Sequence, residues 1–248
     1  MTKVIDANLY WFPEELFTNE ELAEKFLSEV PIQYNIKGSL KEENGVRRFV
    51  IEKPVGSPNL DYIQGDYTLE KELSSLDQAG VEGAVLKLSC QQEWMSLDMC
   101  RLFNTAMAER VKESKGRLNG LGVVPPQGTP AVKKEIDRCL DELGFGGLQL
   151  SAHYGNLYLD DEAFAPFFAY LNERNVTCYV HHTPLPVQYG SLTAYTNLRR
   201  SYGRCIDQAT AIAPESRYLA RIRAMNQAGD SLYQSNRKTS KMEGKPQD

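Results

Sequence analysis

The chain carries three histidines, and all of them stand where an apolar run ends. Gly147-Leu148-Gln149-Leu150-Ser151-Ala152-His153 delivers one, and Val176-Thr177-Cys178-Tyr179-Val180-His181-His182 delivers the other two. An imidazole titrates near neutrality and offers a lone pair to a metal, so a strand end bearing one suits proton transfer or metal binding. Parallel sheets and barrels gather ligands at the carboxyl ends of their strands. His153, followed by Tyr154 and Gly155, is read as a proton donor or substrate partner, or else as a structural donor to a loop carbonyl. His182 is read as orienting His181 or closing the turn toward Pro184 and Pro186.

A cation joins these candidates. Val85-Leu86-Lys87-Leu88-Ser89 places an ammonium inside a strand-like segment, where a lone charge is costly to bury. Lys87 either faces a pocket and holds a substrate carboxylate, or pairs with a nearby acid or snorkels to the strand end. Arg47 and Arg48 either clamp an anionic substrate or form a solvated pair on a hairpin.

Strand-like and helix-like segments alternate around these residues. Residues 4–10 read as a first strand, and Pro13 opens a short helix reaching residue 27. Residues 31–67, with turns at Gly38, Asn44-Gly45 and Gly56-Ser57-Pro58, read as an insertion near a pocket mouth, with 47–52 as one hairpin arm. Thr68 caps a helix ended by Gly80, and residues 81–89 form the next strand. Ser96 caps a helix carrying Cys100, Phe103, Met107 and Val111, followed by a strand over 118–124. Thr129-Pro130 opens a helix that ends at Gly144. A strand over 147–152, a helix capped by Asp160 or Asp161 and a strand over 176–181 complete five alternations.

Strands separated by helices of this length indicate βαβ units and a parallel sheet. A (β/α) barrel is favoured over a doubly wound sheet because no strand leads into a Gly-rich phosphate loop; Gly144-Phe145-Gly146-Gly147 precedes its strand and serves as a turn. The expected fold is α/β and TIM-barrel-like. It is incomplete, because a full barrel takes eight units and the chain offers five plus a helix over 198–213. Residues 1–213 form the expected barrel domain, and 214–248 a polar basic tail without fixed structure.

Composition narrows the function classes. Within 248 residues the net charge is −5, and the seven Lys or Arg after residue 216, against three acids, form only a loose cluster. Nucleic acid is therefore not expected as a partner. No apolar run reaches the length of a bilayer span, and Met1-Thr2-Lys3 leads into a strand-like segment, so neither membrane nor secretion is expected and the chain is read as cytoplasmic. Cys90, Cys100, Cys139, Cys178 and Cys205 are odd in number and scattered, and read as reduced thiols packed as small hydrophobes.

Several segments together resemble a known family. Val4-Ile5-Asp6-Ala7-Asn8-Leu9-Tyr10-Trp11-Phe12-Pro13, Leu102-Phe103-Asn104, Gly120-Leu121-Gly122-Val123-Val124-Pro125, Leu143-Gly144-Phe145-Gly146-Gly147-Leu148-Gln149-Leu150, Leu159-Asp160 and Tyr179-Val180-His181 are similar to the amidohydrolase-related proteins of the aminocarboxymuconate-semialdehyde decarboxylase type. The likeness runs in order from residue 3 to about residue 213. It implies a metal-dependent hydrolase fold, a divalent metal such as zinc, and decarboxylation or hydrolysis of a small cyclic or unsaturated carboxylic acid; relatives of this type often form homodimers.

Carried over by position, the resemblance implies His181 as a metal ligand. Asn8 and Tyr10 stand where the family's first strand supplies two histidines, so they are expected at the substrate and in catalysis instead. The catalytic set is then His153, Lys87 and Tyr10, with Asn8, Tyr154 and Arg47 at the substrate. The alternative from another class is a non-catalytic, ligand-poor and truncated remnant.

Overall fold

Alternating apolar runs become strands here, and runs of helical period become the crossovers between them. The computed structural model describes residues 3–182 apart from 54, 57 and 156. The helix expected over 198–213, Cys205 and the basic tail lie outside the described residues. In chain order come β1 (Ile5–Tyr10), α1 (Glu15–Thr18), α2 (Glu20–Ser28), β2 (Lys37–Glu43), β3 (Val46–Glu52), β4 (Pro58–Ile63), α3 (Leu69–Gln78), β5 (Gly83–Lys87) and α4 (Leu97–Glu113). They are followed by β6 (Leu118–Gly120), α5 (Pro130–Asp137), β7 (Leu148–Ser151), β8 (His153–Tyr154), β9 (Leu157–Tyr158), α6 (Ala165–Glu173) and β10 (Cys178–His181).

Five of these strands run parallel. β1 pairs with β5, β5 with β6, and β7 with β10. A parallel bridge between Gly122 and Leu148 joins the second group to the first, reinforced by the Gln149 N–H donating to the Gly122 carbonyl at 2.8 Å. Spatial order among these strands therefore follows chain order, without the part-way reversal of a doubly wound sheet. The arc curves strongly enough that Tyr10, at the end of its first strand, reaches His181, at the end of its fifth, with 2.9 Å between Tyr10 Oη and His181 Nε2.

Local chemistry sets the boundaries. Thr68, Ser96 and Thr129 each accept a first-turn N–H as expected. The single helix expected from Pro13 to residue 27 is instead two, because extended Asn19 (φ −110°, ψ 107°) caps a fresh start through the Leu22 N–H. The strand expected over 118–124 pairs regularly only to Gly120, after which the backbone continues by the Gly122 bridge. Gly147 is required by close approach: a Cβ there would lie 2.3 Å from the Thr177 carbonyl oxygen, whose acceptor role toward Leu148 N–H helps hold β10 against β7.

The insertion is a three-stranded antiparallel meander of β2, β3 and β4, not a lone hairpin. Its apolar face is built into the core. Phe12, fully buried after β1, stacks on Tyr62 of β4 at 4.2 Å between centroids and packs against Phe17, Phe26, Phe49 and Phe103 at 5.5–5.8 Å. One side chain thus binds the meander, the first helices and α4 to the parallel arc.

Asn104 fixes α4 to the segment after β6. Its Nδ2 donates to the Val123 carbonyl (2.9 Å) and to Glu135 Oε1 (2.8 Å), and its Oδ1 accepts from the Val123 N–H (2.9 Å). Glu135, also buried, is paired with Arg138 and Arg101. Asn104→Ala leaves a buried backbone pair unpartnered and is expected to lower stability by about 1–3 kcal/mol, read as a lower urea midpoint at unchanged slope.

Candidate functional site

Lys87 ends β5 in register with Tyr10 of β1. It is fully buried, and its Nζ has no hydrogen-bond partner among the described residues. The ammonium lies 3.8 Å from the centroid of the Tyr179 ring and 5.3 Å from that of Tyr10, so two aromatic faces stabilise it. Burial pulls its pKa down from 10.5 to about 8, opposed by the negative charge of Asp6. At neutral pH the group is mainly a cation. Of the two sequence readings, snorkelling to solvent is overturned, since no part of the side chain is exposed.

His181 ends β10 and is buried. Its Nδ1 lies 2.5 Å from the His182 carbonyl oxygen, which can only accept, so Nδ1 carries the proton. Nε2 is then the lone pair that accepts the Tyr10 hydroxyl at 2.9 Å; this tautomer follows from the partners. Tyr10, Lys87 and His181 therefore form one cluster across the arc.

Other expected residues are placed differently. His153 is buried in the β8–β9 hairpin, 5.4 Å from the Tyr158 ring between centroids, two residues beyond Ser151, the register partner of His181. Tyr154 spends its hydroxyl accepting the Ser151 N–H at 3.1 Å. Its ring lines a cavity of about 650 Å³ with Tyr34, Glu93 and Trp94. The cavity lining comes from the segments after β1, β5 and β7.

Asn8 is exposed at an irregularity of the β1–β5 register, with its N–H on Asp6 Oδ1. Arg47 is not brought to the cluster: it donates to the Phe17 carbonyl (2.6 Å) and to Glu20 Oε1 (2.5 Å), tying the meander to α1 and α2. Arg48 pairs with Asp61 and Glu43 across the meander strands.

Two functional-looking residues escaped sequence reasoning. Cys90, read as a packed thiol, is buried but has its Sγ 3.9 Å from His181 Nδ1 and 3.6 Å from the His182 carbonyl oxygen. Gln149 bridges β7 to the end of β5, with Oε1 accepting from Leu88 N–H (2.8 Å) and Nε2 donating to Leu88 O (2.7 Å). A polar residue at an inward strand position was the available signal for Gln149. Cys90 had none, because nothing local separates a donor thiol from a core thiol.

Comparison with known proteins settles the ancestry. The amidohydrolase family model matches residues 56–206. The chain belongs to this family. Among curated amidohydrolase relatives, the 2-amino-3-carboxymuconate-6-semialdehyde decarboxylase of Dictyostelium discoideum is 31% identical over 86 residues, 35% of this chain and 24% of that protein. The gamma-resorcylate decarboxylase of a Polaromonas species is 27% identical over 130 residues, 47% of this chain and 40% of that protein.

Solved structures agree. The 5-carboxyvanillate decarboxylase of Novosphingobium aromaticivorans, crystallised with manganese and 4-hydroxy-3-methoxy-5-nitrobenzoic acid, superposes with a TM-score of 0.54 at 27% identity, covering 59% of this chain and 44% of that one. The 2,6-dihydroxybenzoate decarboxylase from Rhizobium gives a TM-score of 0.52 at 16% identity over 85% and 62% of the two chains, a likeness of fold alone. The amidohydrolase chain spans less than half the length of the curated relatives it matches. No described helix is long and apolar enough to cross a membrane.

The manganese of the relatives sets a test of fit. Manganese favours oxygen and imidazole donors, yet Asn8 is exposed, the Tyr10 hydroxyl is engaged by His181, and the donor group that includes His181 brings in the Cys90 thiol and no carboxylate. The described residues do not assemble a manganese site of that kind.

Proposed function

We propose that this chain is a decarboxylase-like carboxy-lyase acting on a small cyclic or unsaturated carboxylic acid. The observation that carries the reading is the Lys87 ammonium, held under Tyr179 and Tyr10 beside the Tyr10–His181 pair. The named relatives, all decarboxylases, support this chemistry over hydrolysis, and over a non-catalytic remnant. We also read residues 1–213 as one incomplete barrel-type domain with 31–67 as its insertion, followed by the 214–248 tail.

A carboxylate is drawn to Lys87 by displacing a tyrosine ring from its ammonium. When the bond to the carboxyl carbon breaks, carbon dioxide leaves and the electron pair stays on the ring or chain carbon as a carbanion or dienolate. A fixed cation stabilises that charge where it develops. Tyr10 then gives its proton to the carbon, and the Lys87 ammonium, 5.3 Å from the Tyr10 ring centroid, offsets the charge left on the phenolate. His153 is the second candidate acid, and Tyr154 and Asn8 are read as flanking the substrate. Carbon dioxide release is to be followed with 2,6-dihydroxybenzoate and 5-carboxyvanillate in D2O.

The expected result is a product with one deuterium at the carbon that bore the carboxylate. Tyr10→Phe should lower kcat about 100-fold or more. Release of an alcohol or amine from ester and amide analogues, with no carbon dioxide from any acid, would overturn the reading in favour of hydrolysis.

A further inference from the structure

We infer that Cys90, His181 and His182 form a site for one divalent metal of zinc type, with a thiolate in its donor set. One ligand atom from each of the three residues lies within 4.8 Å of the others. Cys90 comes from the segment after β5, and the two histidines from the end of β10 and the position beyond it. The two imidazoles stack with centroids 4.1 Å apart.

The spacing suits the ion. Tetrahedral zinc with a Zn–S bond of about 2.3 Å and a Zn–N bond of about 2.0 Å sets sulfur and nitrogen roughly 3.5 Å apart. Cys90 Sγ and His181 Nδ1 are already at 3.9 Å. Three protein ligands with one open position is the composition of a catalytic zinc, and a thiolate favours zinc over manganese.

The network around His181 accommodates the change. Sulfur faces Nδ1, so Nδ1 is the ligand atom and gives up its bond to the His182 carbonyl. Nε2 then carries the ring proton and donates to Tyr10 Oη across the existing 2.9 Å contact, an outer partner that fixes tautomer and ring orientation. The thiol proton is released on binding. This inference stands independently of the decarboxylase reading, since it concerns which ion binds and through which atoms.

The test uses the full chain, stripped with a chelator and titrated with Co2+ alone, then Zn2+ alone. One equivalent should bind, cobalt should give a sulfur-to-metal charge-transfer absorption, and zinc should displace it. Cys90→Ser should abolish that absorption, while Cys178→Ser leaves it intact. His182→Ala, at a half-buried position that tolerates truncation, should weaken zinc binding by more than about tenfold, a loss already seen for outer partners.

X-ray absorption of the zinc-loaded parent chain should show one sulfur with nitrogen or oxygen neighbours, a readout that needs no variant. Absence of the charge-transfer absorption, its survival in Cys90→Ser, or zinc affinity indifferent to His182→Ala would each overturn the site.

Discussion

Lys87→Met is expected to cut carbon dioxide release by about 100- to 1000-fold, the loss typical of removing one group that stabilises charge in the transition state. The same variant should be more stable than the parent. An ammonium with no hydrogen-bond partner among the described residues, held only by two ring faces and distant charges, costs more to bury than a methionine of similar shape. A gain of roughly 2 kcal/mol is expected on that ground. Activity and stability therefore move in opposite directions, which simple damage to the fold cannot produce. A variant that loses both, or keeps full activity, removes Lys87 from the site.

The pH dependence follows from the lowered pKa. Lys87 is charged below about 8 and loses its proton above it, so kcat/KM should fall on the alkaline side with an apparent pKa near 8. Stability has the opposite sign. Between about 8 and the ordinary 10.5 the unfolded chain binds the proton that the folded chain has released, so unfolding free energy from this group rises with pH across that window. In Lys87→Met both the alkaline limb and this rise should vanish, and unfolding curves at pH 7 and pH 10 read the second directly.

Phe12→Ala carries the largest expected loss of stability. The ring is fully buried and is shared by β4, α1, α2, β3 and α4, so its cavity cannot close by moving one element alone. A cost of about 3–5 kcal/mol is expected, a large part of the total for a domain of marginal stability. Equilibrium denaturation by tryptophan fluorescence reads it well, because Trp11 is the adjacent residue and is itself buried. Phe12→Leu, which keeps much of the volume, should cost far less; equal losses from the two variants would mean that packing at this position does not bind the meander to the arc.

Much of the local structure was legible. Thr68, Ser96 and Thr129 announced their helices because a capping oxygen acts within three residues of itself. The parallel strands over 147–152 and 176–181 were readable from apolar runs bounded by glycine, asparagine and histidine. The meander was only partly readable, since its polar outer face hides the alternation. Its inward residues Phe49 and Tyr62 pack on Phe12, 37 or more positions earlier in the chain. Arg47 looked like an anion clamp for the same reason: its partners, the Phe17 carbonyl and Glu20, lie about 30 residues away.

By itself the sequence determined the strand and helix alternation, the expectation of parallel strands, the family, and histidines at two strand ends. These follow from short-range rules: side-chain period, capping and the need for a crossover between parallel neighbours. Only the tertiary structure decided which of those residues meet. Curvature of the arc brings Tyr10 to His181 across 171 positions, seats Lys87 between two tyrosine rings, and sets the Cys90 thiol against His181. Such contacts depend on strand twist and closure summed over five strands, a quantity that no local pattern encodes.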